Sequence, residues 1–128
     1  MPIKYLSQEW IDEVSKALAA HTGFQEAIAR AKLGLTFVVG DAPQGEVHYH
    51  FDIADGGCQV GMGDAENADA TIKLPYQTAI ALSKGDLNVQ AAFIAGKLKV
   101  EGNLAKIMMN QGALTQYASA VAGMDLEY

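Results

Sequence analysis

Residues 46–53, EVHYHFDI, alternate apolar and polar without a miss. Val47, Tyr49, Phe51 and Ile53 fall on one side, Glu46, His48, His50 and Asp52 on the other. Successive side chains of an extended strand point to opposite faces, so this stretch buries one face and wets the other only as a β-strand. Turn-rich runs bracket it, GDAPQG at 40–45 and ADGG at 54–57, so neighbouring segments must fold back beside it. LGLTFVV (33–39), β-branched and aromatic, is one such neighbour, and CQVGM (58–62) is the other. ATIKL (70–74) reads as a fourth strand, stopped by Pro75.

On either side of these strands the apolar period becomes helical. Ser7 is a suitable N-cap, Glu9 sits in the positive-ended first turn, and Trp10, Ile11, Val14 and Leu18 form one apolar face. His21-Thr22-Gly23 interrupts the pattern, with His21 expected near the negative end of the helix dipole. A short helix is predicted over 24–31 with Phe24, Ala27, Ile28 and Ala31 on one side. After Pro75, YQTAIALSKG predicts a helix ended by Gly85, and NVQAAFIAG a second one capped by Asn88 and ended by Gly96. KLKVE (97–101) alternates as a fifth strand, Leu98 and Val100 inward, Lys97, Lys99 and Glu101 outward. Asn103 caps a last, unbroken helix with an inner face of Leu104, Ile107, Met108, Gln111, Leu114 or Thr115, Ala118 and Val121. The order α-α-β-β-β-β-α-α-β-α predicts one α+β domain over 1–128: a five-stranded, mostly antiparallel sheet covered by about five helices.

At 128 residues the chain buries roughly 68% of its unfolded surface, enough for a core and an enclosed pocket. Its net charge of −6 opposes nucleic-acid binding, which calls for a basic face. A single cysteine, Cys58, forms no internal disulfide framework and fits a reducing compartment. MPIKYLSQEW holds no apolar run, no stretch is apolar for about 18 residues, and MDLEY is no address signal, so a cytoplasmic location is expected.

Candidate chemistry is sparse. His48 and His50 share a strand face with Asp52, a spacing that can hold a metal, but the polar side of an alternating strand accounts for all three, and no metal is expected. Cys58 has no adjacent base and reads as a small buried thiol. GCQVGMG (57–63) lacks the lysine, the hydroxyl residue and the helix of a phosphate loop. Asp64, Glu66 and Asp69 do not match a calcium loop. Lys97 and Lys99 solubilise or blunt an edge strand more simply than they bind phosphate. What remains is apolar surface rich in alanine and methionine, which forms either a packed core or the lining of a cavity.

One stretch separates those alternatives. ADATIKLPYQTAIALSKGDLNVQAAFIAGKLKVEGNLAKIMMNQ (68–111) resembles the sterol carrier protein-2 family of lipid-binding domains. The matching pieces are Ala68-Asp69-Ala70-Thr71-Ile72, Gly85-Asp86-Leu87-Asn88, Ala92-Phe93, and Gly96-Lys97-Leu98-Lys99-Val100-Glu101-Gly102-Asn103, with Met108 and Gln111 in register on the last helix. Residues 1–60 carry no distinctive motif of the family. The resemblance implies a sheet and helices that enclose an apolar tunnel. It further implies intracellular binding or transfer of fatty acid, fatty acyl-CoA, phospholipid or a sterol-like molecule, with no enzymatic activity and no cofactor. An acyl chain is expected ahead of a sterol, and transient contact with membranes is compatible with the role. The implied lipid-binding residues are Phe93, Leu98, Val100, Leu104, Met108 and Gln111. Phe37, Ile72, Leu74 and Ile80 are weaker candidates that core packing explains equally well. The alternatives are a protein-interaction module on the same fold with a closed or vestigial cavity and, last, a small enzyme built on His48, His50 or Cys58.

Overall fold

The computed structural model describes residues 2–66, 68–84, 86–87, 89–121, 124 and 126–127, the side chains of Val89, Gln90 and Ala118 excepted. The chain opens with a two-residue strand, β1 (Ile3–Lys4), followed by α1 (Gln8–Ala20) and α2 (Thr22–Ile28). Four strands follow: β2 (Leu33–Ala42), β3 (Gly45–Ala54), β4 (Gly57–Met62) and β5 (Ala70–Pro75). Then come α3 (Tyr76–Lys84), α4 (Val89–Ile94), β6 (Lys99–Gly102), α5 (Leu104–Met109), α6 (Gln111–Val121) and β7 (Leu126–Glu127).

The helix starts follow local chemistry. Ser7 Oγ accepts the Trp10 amide at 3.2 Å, and Asn103 Oδ1 accepts the Lys106 amide at 3.0 Å. His21 does more than end α1: its Nδ1 accepts the Phe24 amide at 3.0 Å, so it also caps α2, which begins at Thr22 and ends at Ile28 rather than spanning 24–31. The expected cap at Asn88 and stop at Gly85 lie outside the described residues. The predicted single terminal helix is two. Asn110 ends α5, donating through Nδ2 to the Lys106 carbonyl at 2.7 Å, while its own carbonyl takes the amides of Ala113 and Leu114. Asparagine competes for backbone hydrogen bonds in this way, and Gly112 two residues on weakens the helix further.

The five-stranded sheet has the order β4-β3-β2-β5-β6. Three of its pairings are antiparallel and one, β2 with β5, is parallel. The β3–β4 hairpin turns at Asp55-Gly56, both with positive φ, the geometry of a tight two-residue turn. β2 runs on past Val39 to Ala42, through a register shift in its pairing with β3. A separate parallel pair of β1 and β7 brings the two ends of the chain together.

Register sorts the side chains. Val100, Ile72, Phe37 and Tyr49 lie opposite one another in turn, forming one row across β6, β5, β2 and β3. The helices cover this apolar face, and the largest fully buried side chains include Phe24, Ile11, Leu18, Leu35 and Ile72. The other face carries His48, His50, Lys73, Lys99 and Glu101. Among the described residues no helix is long and apolar enough to cross a membrane.

Gly102 ends β6 with φ +103, and a Cβ there would lie 2.7 Å from the Asp69 carbonyl oxygen. Gly102→Ala should lower the unfolding free energy by at least about 2 kcal/mol, read from urea midpoints. Gly40→Ala, which meets nothing within 4 Å, should stay within about 0.5 kcal/mol of the parent.

Candidate functional site

Between the apolar face of the sheet and the helices lies a cavity of about 520 Å³, inside the roughly 300–1,000 Å³ range of small-molecule sites. Its floor is aromatic. Phe37 stacks on Tyr49 with ring centroids 4.9 Å apart, Phe51 meets both edge-on, and Trp10 meets Tyr49 edge-on at 5.1 Å. Tyr117 of α6 reaches Phe51 at 4.9 Å. Each ring is braced by another ring, so the floor is rigid without filling the space above it.

Leu35, Ile53 and Val100 continue the floor along β2, β3 and β6. The walls come from Ala79, Leu82 and Ser83 of α3, and from Phe93 and Ile94 of α4. Leu104, Ile107 and Met108 of α5 and Gln111, Leu114 and Thr115 of α6 close the far side. Phe93, Ile94, Leu104 and Met108 are exposed as well as lining, so the opening lies between α4 and α5.

Among the described residues the lining contains no Asp, Glu, Lys, Arg or His. Its polar side-chain groups are hydroxyls, the Trp10 indole, the Gln111 amide and the Cys58 thiol. Burial pushes the Tyr49 and Tyr117 phenols up, Tyr49 well above its ordinary value, so both stay neutral and act as apolar bodies with one polar tip. Burial, helped by the charge of Asp52, pushes the Cys58 thiol up to about 12, which leaves no thiolate for nucleophilic chemistry near neutral pH.

Of the six residues implied as lipid-binding, Phe93, Val100, Leu104, Met108 and Gln111 line the cavity and Leu98 does not. β6 begins only at Lys99; the Lys97 amide is still bonded to the Ala92 carbonyl at 2.8 Å, so strand alternation does not reach back to Leu98. Leu98 is buried instead in a second, more open groove with Leu74, Thr78, Ala81 and Leu87. Of the weaker candidates, Phe37 and Leu74 line the cavity, whereas Ile72 and Ile80 do not. Sequence reasoning missed Trp10, Phe24, Tyr49, Phe51 and Tyr117 as lining residues. The inward alternation of Tyr49 and Phe51 was the available signal; it marks a buried face without telling core from cavity.

His48 and His50 lie on the opposite face of the sheet. His48 Nε2 is 2.6 Å from Glu46 Oε1 and Nδ1 is 2.6 Å from Asp64 Oδ1, while His50 Nδ1 is 3.0 Å from the Gly63 carbonyl oxygen. These bonds pin the 63–66 loop to β3. Among the described residues no three His, Cys, Asp or Glu are placed to hold a metal ion.

Comparison with known proteins gives a consistent picture. The model of the SCP-2 sterol transfer family matches residues 14–115. Over 85 residues the chain is 34% identical to sterol carrier protein 2 of Gallus gallus, an alignment covering 66% of this chain and 16% of that much longer protein. A crystal structure of sterol carrier protein 2 superposes with a TM-score of 0.82, covering 94% of this chain and 99% of that one at 17% identity. A solution structure of the sterol carrier protein domain 2 of Helicoverpa armigera gives a TM-score of 0.68, covering 87% of each chain at 25% identity.

The hydrogen bond to Glu46, and then that to Asp64, raise the His48 pKa above 6.5. Protonated His48 is thus favoured in the folded state. Its contribution to stability is complete below pH 6.5 and disappears as pH rises through the raised folded value. In Asp64→Asn the His48 titration, followed by NMR of the ring protons, should move back towards 6.5; an unmoved titration would remove Asp64 as a cause.

Proposed function

The chain belongs to the SCP-2 sterol transfer family, and from that membership we propose that it binds a single lipid in the 520 Å³ cavity and carries it through water. The observation that carries this reading is an open apolar volume with no charged side chain on its wall among the described residues. Phe93, Val100, Leu104 and Met108 are the proposed contacts of the lipid near the opening, and the aromatic floor takes its apolar end. Gln111, whose Nε2 rests 3.5 Å from Met108 Sδ beside the opening, is the proposed hydrogen-bond partner of a carboxyl, hydroxyl or head group.

The energetics agree with a carrier. Burying methylenes contributes about 0.8 kcal/mol each, so a sixteen-carbon chain offers roughly 12 kcal/mol gross. Loss of translational and internal freedom cancels a large part of this, which leaves affinity in the micromolar range. No cationic group among the described residues lines the wall, and an isolated carboxylate is costly to bury. The ligand is therefore a fatty acid, acyl ester or other single-chain lipid held with its polar end at the opening. The reading is of a carrier without a catalytic centre, acting in the cytoplasm. An open volume beneath Met108 supports it over an interaction module with a closed cavity.

Mass spectrometry of the freshly purified, denatured protein should reveal co-purified lipid, and a fluorescent fatty acid should bind with one-to-one stoichiometry. Leu114→Trp, which adds volume from the wall, should weaken that binding at least tenfold, about 1.4 kcal/mol, with a melting temperature close to the parent. Cys58, on the same wall, should react with a thiol reagent at alkaline pH more slowly when lipid is bound. Absence of lipid, of fatty-acid binding and of Cys58 protection together would sink the proposal.

A further inference from the structure

Among the described residues six large apolar side chains are exposed, and five of them cluster between Phe93 and Met109. Their exposures are 41% for Phe93, 76% for Ile94, 36% for Leu104, 50% for Met108 and 83% for Met109. Four of the five also line the cavity; Met109 does not. The apolar lining thus runs out through the opening to Phe93, Ile94, Leu104 and Met108 at the surface. Single exposed apolar residues are ordinary, but a contiguous group of this kind marks a contact surface.

We propose that this α4–α5 rim, with Met109 and Ile94 at its crest, is the surface that seats on a lipid bilayer while a ligand passes between membrane and cavity. The assignment rests on the lipid-carrier reading above and adds to it the place of contact. Three observations favour a bilayer as the occupant. First, the rim is continuous with the cavity wall, so a chain leaving the acyl region of a membrane stays against apolar side chains throughout. Second, the charges of residues 91–111, three lysines and one acid, are engaged away from the rim, which leaves it apolar: Lys97 and Lys99 line the second groove and Lys106 pairs with Asp69 at 3.0 Å. That acid, Glu101, faces the outer side of the sheet and pairs with Lys73 at 3.2 Å, so no carboxylate of this segment opposes phosphate head groups at the rim. Third, a second copy of the chain is a poor fit. No side chain of the rim exceeds the about 150–250 Å² that an aromatic buries. At the exposures above, the five together fall short of the about 800 Å² per partner of a stable protein interface.

The test uses the whole chain and vesicles of phosphatidylcholine with phosphatidylglycerol. Met109→Glu should lower co-flotation with the vesicles at least tenfold, and Met109→Leu should retain it. Both variants should bind a monomeric fluorescent fatty acid within twofold of the parent, because Met109 lies outside the cavity wall. In Met109→Trp the added indole should be quenched by brominated lipid, above the background from Trp10, which is 3% exposed. Equal flotation of parent and Met109→Glu, or equal loss in Met109→Glu and Met109→Leu, overturns the assignment. So does a parent that sediments as a dimer and becomes a monomer on Met109→Glu. Flotation needs no ligand, so a parent that floats but binds no fatty acid overturns the carrier reading and leaves the docking surface standing.

Discussion

Asp69 ties the parts of this molecule that have to meet. Its carboxylate accepts the Gly34 amide at 2.7 Å and lies 3.0 Å from the Lys106 ammonium; its own amide donates to the Gly34 carbonyl at 2.7 Å, and its carbonyl takes the Asn103 amide at 2.9 Å. These four interactions begin the parallel pairing of β5 with β2, hold the turn that leads out of β6, and anchor the first turn of α5. The Gly34 amide, with help from Lys106, keeps the Asp69 carboxyl below its ordinary range, so it is charged wherever the protein is folded near neutral pH. The cavity's cover is thereby attached to the centre of the sheet. The motif Ala68-Asp69-Ala70-Thr71 owes its structural weight to this junction.

An open volume inside so small a chain needs a physical reason, because side chains ordinarily collapse into voids. Here the floor rings brace one another edge to face and face to face, which holds them against the sheet. Above them, α3 and α6 present Ala79 and Ala113, too short to span the gap. Two short helices, α4 and α5, form the opening where longer ones would seal it. Apolar rim, aromatic floor and a wall with no charged side chain among the described residues then surround one apolar volume.

Much of the local architecture was legible because it follows from backbone geometry. The alternation of 46–53 became β3 with Val47, Tyr49, Phe51 and Ile53 buried. Ser7 and Asn103 cap the helices that their side chains favour. The structure departs from the sequence pattern where a single local hydrogen bond overrides the period. Strand alternation predicts Leu98 inward beside Val100, yet the bond from the Lys97 amide to Ala92 keeps Leu98 in the turn after α4. The apolar period predicts one helix through Asn110, although the side chain of that residue bonds the Lys106 carbonyl and ends α5.

The sequence by itself determined the periods, the caps, the hairpin at Asp55-Gly56 and the α+β class, since each depends on neighbours within a few residues. Its 68–111 stretch also carried the family resemblance. Only the tertiary structure decided that β5 lies parallel to β2, that the inward residues of four strands align in a row, and that Val100, Phe37 and Tyr49 of that row face a cavity. Core and cavity wall call for the same apolar residues at the same spacing. What separates them is how far the covering helices stand from the sheet, and that distance is set by contacts such as Asp69 with Lys106, 37 positions apart in the chain.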